Sequence, residues 1–160
     1  MIADRRTSVA FTGHRTYRGA AADALRRTVG ELYARGFRNF LSGMAVGFDL
    51  AAAEAVLELR ERMPGVRLVA AVPFRGQEMR FSPADRERFR CVLAEADSVE
   101  VLAPAYHRGC YAVRNDFLVD NARVLVAWYD GSPGGTRYTV CRALGRGLEI
   151  LALHPAAPAL

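Results

Sequence analysis

The chain has 160 residues, 51% of them hydrophobic and 24% charged, which suits one domain that buries roughly two thirds of its unfolded surface and excludes a wholly disordered chain. No apolar run approaches the ~20 residues that span a bilayer, and "MIADRRTSVAF" holds no long apolar core of an export signal, so a cytoplasmic protein without membrane contact is expected. The net charge is +5, yet all 22 basic residues are arginine. That reads as compositional bias rather than an electrostatic footprint for nucleic acid, and without lysine there is no Walker A phosphate loop and no Schiff base.

Short apolar runs then alternate with amphipathic stretches. "SVAFT" (8–12) reads as the first strand, and Leu25, Val29, Leu32 and Tyr33 follow at helical spacing up to a stop at Gly36. "NFLS" (39–42) is the second strand, followed by an alanine-rich helix opened by Asp49, and "VRLVAAV" (66–72) is the third. Ser82 and Pro83 give an N-cap and a first helical residue, after which Phe89, Val92, Leu93 and Ala96 mark one helical face. "SVEVL" (98–102) is the fourth strand, "YAVRNDFLVDNA" a helix, "VLVAWY" (124–129) the fifth strand, "RYTVCRALGRG" a helix and "LEILAL" (148–153) the sixth strand.

Such alternation predicts an α/β fold: a single Rossmann-like, three-layer α/β/α domain with a mostly parallel sheet of about six strands and right-handed crossovers. The domain is expected over residues 1–154, with 155–160 a frayed tail. Cys91, Cys110 and Cys141 are odd in number, with no CxxC and no histidine at ligand spacing, which argues against a metal site. Cys91 and Cys141 fall in helical patterns and are expected to be buried.

Ligands of open parallel sheets bind outside the carboxyl ends of the strands, so the loops there are the candidate site. In "TGHR", Gly13 permits close backbone approach, and His14 and Arg15 offer donors to a phosphate or carboxylate. "SGMAVGFDLAAAE" sets Ser42, Gly43, Met44 and Gly47 before a helix whose first acidic residue, Asp49, reads equally as a cap or as a partner for a ribose hydroxyl. The spacing is not GxGxxG. Arg114 and Asn115 sit near the carboxyl edge. In "YDGSPGGTRYTV", Asp130 leads into Gly134, Gly135 and Thr136 at a helix start, where backbone N–H groups and a hydroxyl make an anion nest.

Together "TGHR", "SGMAVGFDLAAAE", "VPFRGQE", "RNDFLVDNA" and "WYDGSPGGTRYTVCRALGRG" resemble the SLOG superfamily, in particular its uncharacterised bacterial branch of the YpsA and YspA type. The resemblance implies a Rossmann-like domain that binds a nucleotide or nucleotide-derived ligand, such as a phosphoribose, ADP-ribose or NAD-like molecule, with no required cofactor. It names two alternatives. LOG phosphoribohydrolases cleave an N-glycosidic bond with a PGGxGTxxE motif and an arginine, and DprA binds single-stranded DNA.

Pro133, Gly134 and Gly135 match the LOG motif and Arg114 matches its arginine, but the glutamate position holds Thr139, which cannot stabilise an oxocarbenium-like state. Binding or sensing is therefore expected ahead of LOG-type catalysis. Aromatics are 9% of the chain and fall mostly in strands or on helix faces, which argues against nucleic acid as a partner. A homo-oligomer stays open, because LOG and DprA relatives pair through helices.

Overall fold

The computed structural model describes residues 4–160. Six strands form one parallel sheet in the order β4-β3-β2-β1-β5-β6. They are β1 (Ser8–Gly13), β2 (Asn39–Ser42), β3 (Arg67–Val72), β4 (Ser98–Val101), β5 (Val124–Trp128) and β6 (Glu149–Ala152). Five helices connect them: α1 (Ala22–Ala34), α2 (Phe48–Arg60), α3 (Pro83–Glu95), α4 (Cys110–Asp120) and α5 (Gly135–Gly145). The α/β reading of the sequence, with its six apolar runs as strands, is the architecture observed.

The two-residue period of a strand divides β1 between two cores. Val9 and Phe11 belong to the layer shared with Leu25, Val29 and Leu32 of α1 and with Phe48, Ala52 and Val56 of α2. Ala10 belongs to the opposite layer, with Leu118 and Val119 of α4 and Val140 and Ala143 of α5. β1 and β5 are almost wholly buried, which their continuous apolar runs require, whereas the edge strands β4 and β6 are partly exposed.

The helix signals hold in detail at α3, where the Ser82 side chain accepts the Asp85 N–H and Pro83 opens the helix. The cysteine expectation does not hold: Cys91 and Cys141 are exposed and Cys110 is buried. α3 buries Phe89 and Val92, and α5 buries Thr136, Thr139, Val140 and Ala143. One residue of rotation, about 100°, carries each cysteine off those faces. Cys110 instead opens α4 inside a small cluster with Phe74 and Ala103.

Strand order reverses between β1 and β5, because the chain steps outward from β1 through β4 and then returns to β5 on the other side. The loops leaving β1 and β5 therefore diverge, and a crevice opens between them at the carboxyl edge. None of the helices among the described residues is long and apolar enough to cross a membrane.

Candidate functional site

A cavity of about 460 Å³ occupies this crevice. It is lined from β1 by Thr12 and Gly13, from the following loop by His14 and Arg15, from the β2–α2 turn by Ala45, and from α2 by Asp49. Gln77 and Phe81 enter from the segment after β3, Tyr111, Arg114 and Asn115 from α4, and Pro133 to Thr136 from the start of α5.

Close packing at glycines brings these loops together. A Cβ at Gly13 would stand 2.4 Å from the Phe48 Cβ, so α2 reaches the end of β1 because residue 13 has no side chain. Gly47 has φ 83, and a Cβ there would lie 2.6 Å from the Arg15 carbonyl oxygen, so both conformation and space demand glycine. His14 ties the loops across the switch point. Its backbone N–H donates to the Trp128 carbonyl at 3.3 Å, and its Nε2 lies 2.8 Å from Asp130 Oδ1 and 3.1 Å from the Asp130 backbone nitrogen, the tautomer deciding which it engages. Asp130 also accepts from the Ser132 hydroxyl at 2.6 Å and backbone N–H at 2.9 Å, and these bonds, aided by His14, push its carboxyl down to about 2.

Two buried charged residues, Asp49 and Arg114, line the cavity and act on each other electrostatically. Burial pushes the Asp49 carboxyl up to about 6, against the pull of the Arg114 guanidinium, the Ala45 N–H and Arg15. Burial likewise lowers Arg114 from its ordinary value, with Asp49 opposing. The guanidinium is fixed by two hydrogen bonds, from Nε to Asn115 Oδ1 at 2.8 Å and from an Nη to the Gly43 carbonyl. Asp49 is not the helix cap; Gly47 holds that position, and Asp49 turns inward from the first turn of α2.

Two acceptors in this cavity stand out. Asp49 Oδ1 and Gln77 Oε1 are buried and have no hydrogen-bond partner, in residues only 5% and 4% exposed, and a buried polar atom left unpaired is costly. The same cavity is lined by the start of α5, whose N-cap, Gly134, has φ 137 and no side-chain cap. The first backbone N–H groups of a helix have no intrahelical acceptor, and here they belong to residues that line the cavity. Free donors and unpartnered acceptors thus belong to residues that line one cavity.

Of the residues singled out in the sequence, Gly13, His14, Arg15, Asp49, Arg114, Asn115, Gly134, Gly135 and Thr136 line this cavity. Ser42 supports it from behind, its hydroxyl donating to the Asp49 carbonyl at 2.9 Å and accepting from the Met44 N–H at 3.2 Å. Met44 is a fully buried core side chain whose φ of 62 turns the loop. Gly43 contributes its carbonyl, and a Cβ there would meet Arg114 Cδ at 2.8 Å. Gly47 lines a neighbouring groove, and Asp130 contacts the lining residue His14. Thr139, where LOG enzymes carry glutamate, is fully buried, and its hydroxyl donates to the Gly135 carbonyl at 2.9 Å.

Gln77 and Tyr111 were not singled out in the sequence. Gln77 lies in the quoted "VPFRGQE", and its position in a loop leaving a strand end was the available signal.

The family model described as the YspA SLOG family matches residues 10–146. The chain belongs to the YspA SLOG family. Among curated relatives, it is 28% identical over 127 residues to a UPF0398 protein of Bacillus thuringiensis strain Al Hakam, covering 78% of this chain and 69% of that one. Among solved structures, it resembles DNA processing protein A of Streptococcus pneumoniae, with a TM-score of 0.66, 20% identity and coverage of 91% of this chain and 49% of that one. It also resembles DNA processing protein A of Helicobacter pylori, in a structure describing a single-stranded DNA binding mode, with a TM-score of 0.61, 15% identity and coverage of 91% and 64%. The chain thus spans less than two thirds of either DNA processing protein, and at these identities the likeness is one of fold.

The Helicobacter structure corrects one expectation of the sequence for this YspA SLOG family member. Single-stranded DNA binding occurs on a chain that shares its fold, so scarce aromatics do not remove nucleic acid from its partners. The physical reason is that the aromatics are not all interior. Tyr106 and Tyr111 are exposed, with Arg80 5.8 Å from the first ring and Arg114 5.6 Å from the second.

Proposed function

We propose that this protein binds a nucleotide or nucleotide-derived ligand carrying a phosphorylated ribose in the carboxyl-edge cavity. The observation that carries the reading is that one cavity is lined both by the start of α5, with its free helix N-terminal N–H donors, and by two residues whose buried acceptors, Asp49 Oδ1 and Gln77 Oε1, have no partner. A phosphate suits the first, since the N–H groups and helix dipole both favour an anion. Sugar hydroxyls or an amino group suit the second, since each supplies the missing donor. The volume lies in the ordinary range for small-ligand sites.

Thermal denaturation with AMP, ADP-ribose and NAD tests the reading. A ligand at 100 times its Kd adds about 2.7 kcal/mol, which for a chain of this length raises Tm by about 5–10 °C. No shift with any of the three would overturn it.

Two specific observations keep second readings in view. A carboxyl raised to about 6 beside a buried arginine has the character of an acid–base group, which supports an N-glycosidase with Asp49 in place of the missing glutamate. Free base released from nucleoside monophosphates, and abolished by Asp49→Asn, would establish that reading over simple binding. The exposed Tyr106 and Tyr111 beside arginines support single-stranded nucleic acid as the extended form of the ligand. Oligonucleotide binding that survives moderate salt and is lost in Tyr106→Ala would favour it.

A further inference from the structure

We propose that the base of the ligand occupies the end of the carboxyl-edge cavity lined by Gln77, Phe81 and Tyr111, where it stacks on the Tyr111 ring while the Gln77 amide reads an exocyclic amino group beside a ring nitrogen. This rests on the nucleotide reading above and adds an orientation for the ligand and the residues that select its base.

Contacts through Phe74 hold these residues together. The Gln77 backbone N–H donates to the Phe74 carbonyl at 3.3 Å, at the start of a short 3-10 turn (Gln77–Arg80) that follows Gly76 in a left-handed conformation, φ 90. The Phe74 ring meets the Tyr111 ring edge-on, with centroids 5.9 Å apart, and is itself buried with Ala103 and Cys110. Phe81 ends the same turn and packs edge-on against Phe89 of α3 at 5.6 Å. Gln77 and Tyr111 thus share one apolar support, although they lie on different elements.

The other end of the cavity is fixed independently. A Cβ on Gly135, at the start of α5, would lie 3.8 Å from Asn115 Nδ2, and Asn115 stands one helical turn beyond Tyr111 on α4. Residues so spaced have Cβ atoms about 5–6 Å apart, a separation that one ribose bridges. A phosphate on the α5 N–H groups therefore brings the base within reach of Tyr111.

The chemistry of that end suits a base. Tyr111 is 42% exposed although Phe74 supports it, so ring surface is available, and base–aromatic stacking is a general source of affinity. Gln77 is only 4% exposed, yet neither its Oε1 nor its Nε2 has a hydrogen-bond partner among the described residues. A glutamine buried for structure alone would bond a neighbouring backbone group. An amide with a free acceptor beside a free donor instead matches the amino donor and ring-nitrogen acceptor of an adenine-type edge.

Calorimetric titration separates the contributions, using AMP, purine riboside 5′-monophosphate, which lacks only the amino group, and ribose 5-phosphate, which lacks the base. The wild type should bind AMP at least about tenfold tighter than the purine riboside compound, and ribose 5-phosphate most weakly. Gln77→Leu and Gln77→Met, which keep the bulk of a side chain that bonds nothing, should abolish the difference between the first two. Tyr111→Ala should weaken both about tenfold and leave ribose 5-phosphate unchanged, and Tyr111→Phe should restore them, since the ring and not the hydroxyl stacks.

A wild type that binds AMP and purine riboside 5′-monophosphate equally would overturn the subsite, as would an amino-group preference that survives both Gln77 variants. AMP affinity unchanged in Tyr111→Ala, or ribose 5-phosphate weakened there as much as AMP, would overturn it too. Those outcomes leave the nucleotide reading standing; binding of none of the three by the wild type removes it as well.

Discussion

Asp49 and Arg114 set the energetics of the cavity. The Asp49 carboxyl rises from 3.8 to about 6 on folding, so between those values the folded chain holds a proton that the unfolded chain has lost. Its contribution to stability therefore falls as pH rises from about 4 to 6 and levels off above, by up to about 3 kcal/mol at 1.36 kcal/mol per unit. The difference in unfolding free energy between the wild type and Asp49→Asn should follow that slope in denaturant titrations; a pH-independent difference would contradict it. Arg114→Ala should cost about 1–3 kcal/mol in the same measurement, because it leaves the Gly43 carbonyl and Asn115 Oδ1 without their donor. Arg114 and Asn115 were legible from their place near a strand edge. Gln77 was not, because its significance is burial without a partner, which sequence spacing does not encode.

At the scale of elements, the starts of α2 and α5 build the site in opposite ways. Gly47→Ala combines positive φ with a clash against the Arg15 backbone, and should destabilise by at least about 1–3 kcal/mol. Gly135 has ordinary φ, and its added Cβ would meet nothing nearer than Asn115 Nδ2 at 3.8 Å. Gly135→Ala should therefore leave the melting temperature unchanged or slightly raised while weakening nucleotide binding, since its methyl group enters the cavity; intact affinity would place the ligand elsewhere. Strands were readable because each is a short apolar run between turn signals. The cysteines were misjudged because helical phase, not helical membership, decides burial. A thiol reagent should label Cys91 and Cys141 in the native protein and Cys110 only on unfolding.

Over the whole molecule, the sheet order makes the crevice and the sequence supplies its chemistry. Alternating strands and helices imply a parallel sheet, and a parallel sheet implies a site at its carboxyl edge. The strand at which the order reverses was not readable, since β5 pairs with β1 across more than a hundred residues of chain. The expectation about nucleic acid failed for a related reason: exposure of Tyr106 and Tyr111 is a property of the folded surface, not of composition. The most direct measurement is a crystal structure of the protein soaked with AMP. It should place the phosphate against the N–H groups of Gly135 and Thr136 and a sugar hydroxyl or base amino group against Asp49 Oδ1 or Gln77 Oε1. A nucleotide bound with its phosphate away from α5, or both acceptors still unpaired in the occupied complex, would contradict it.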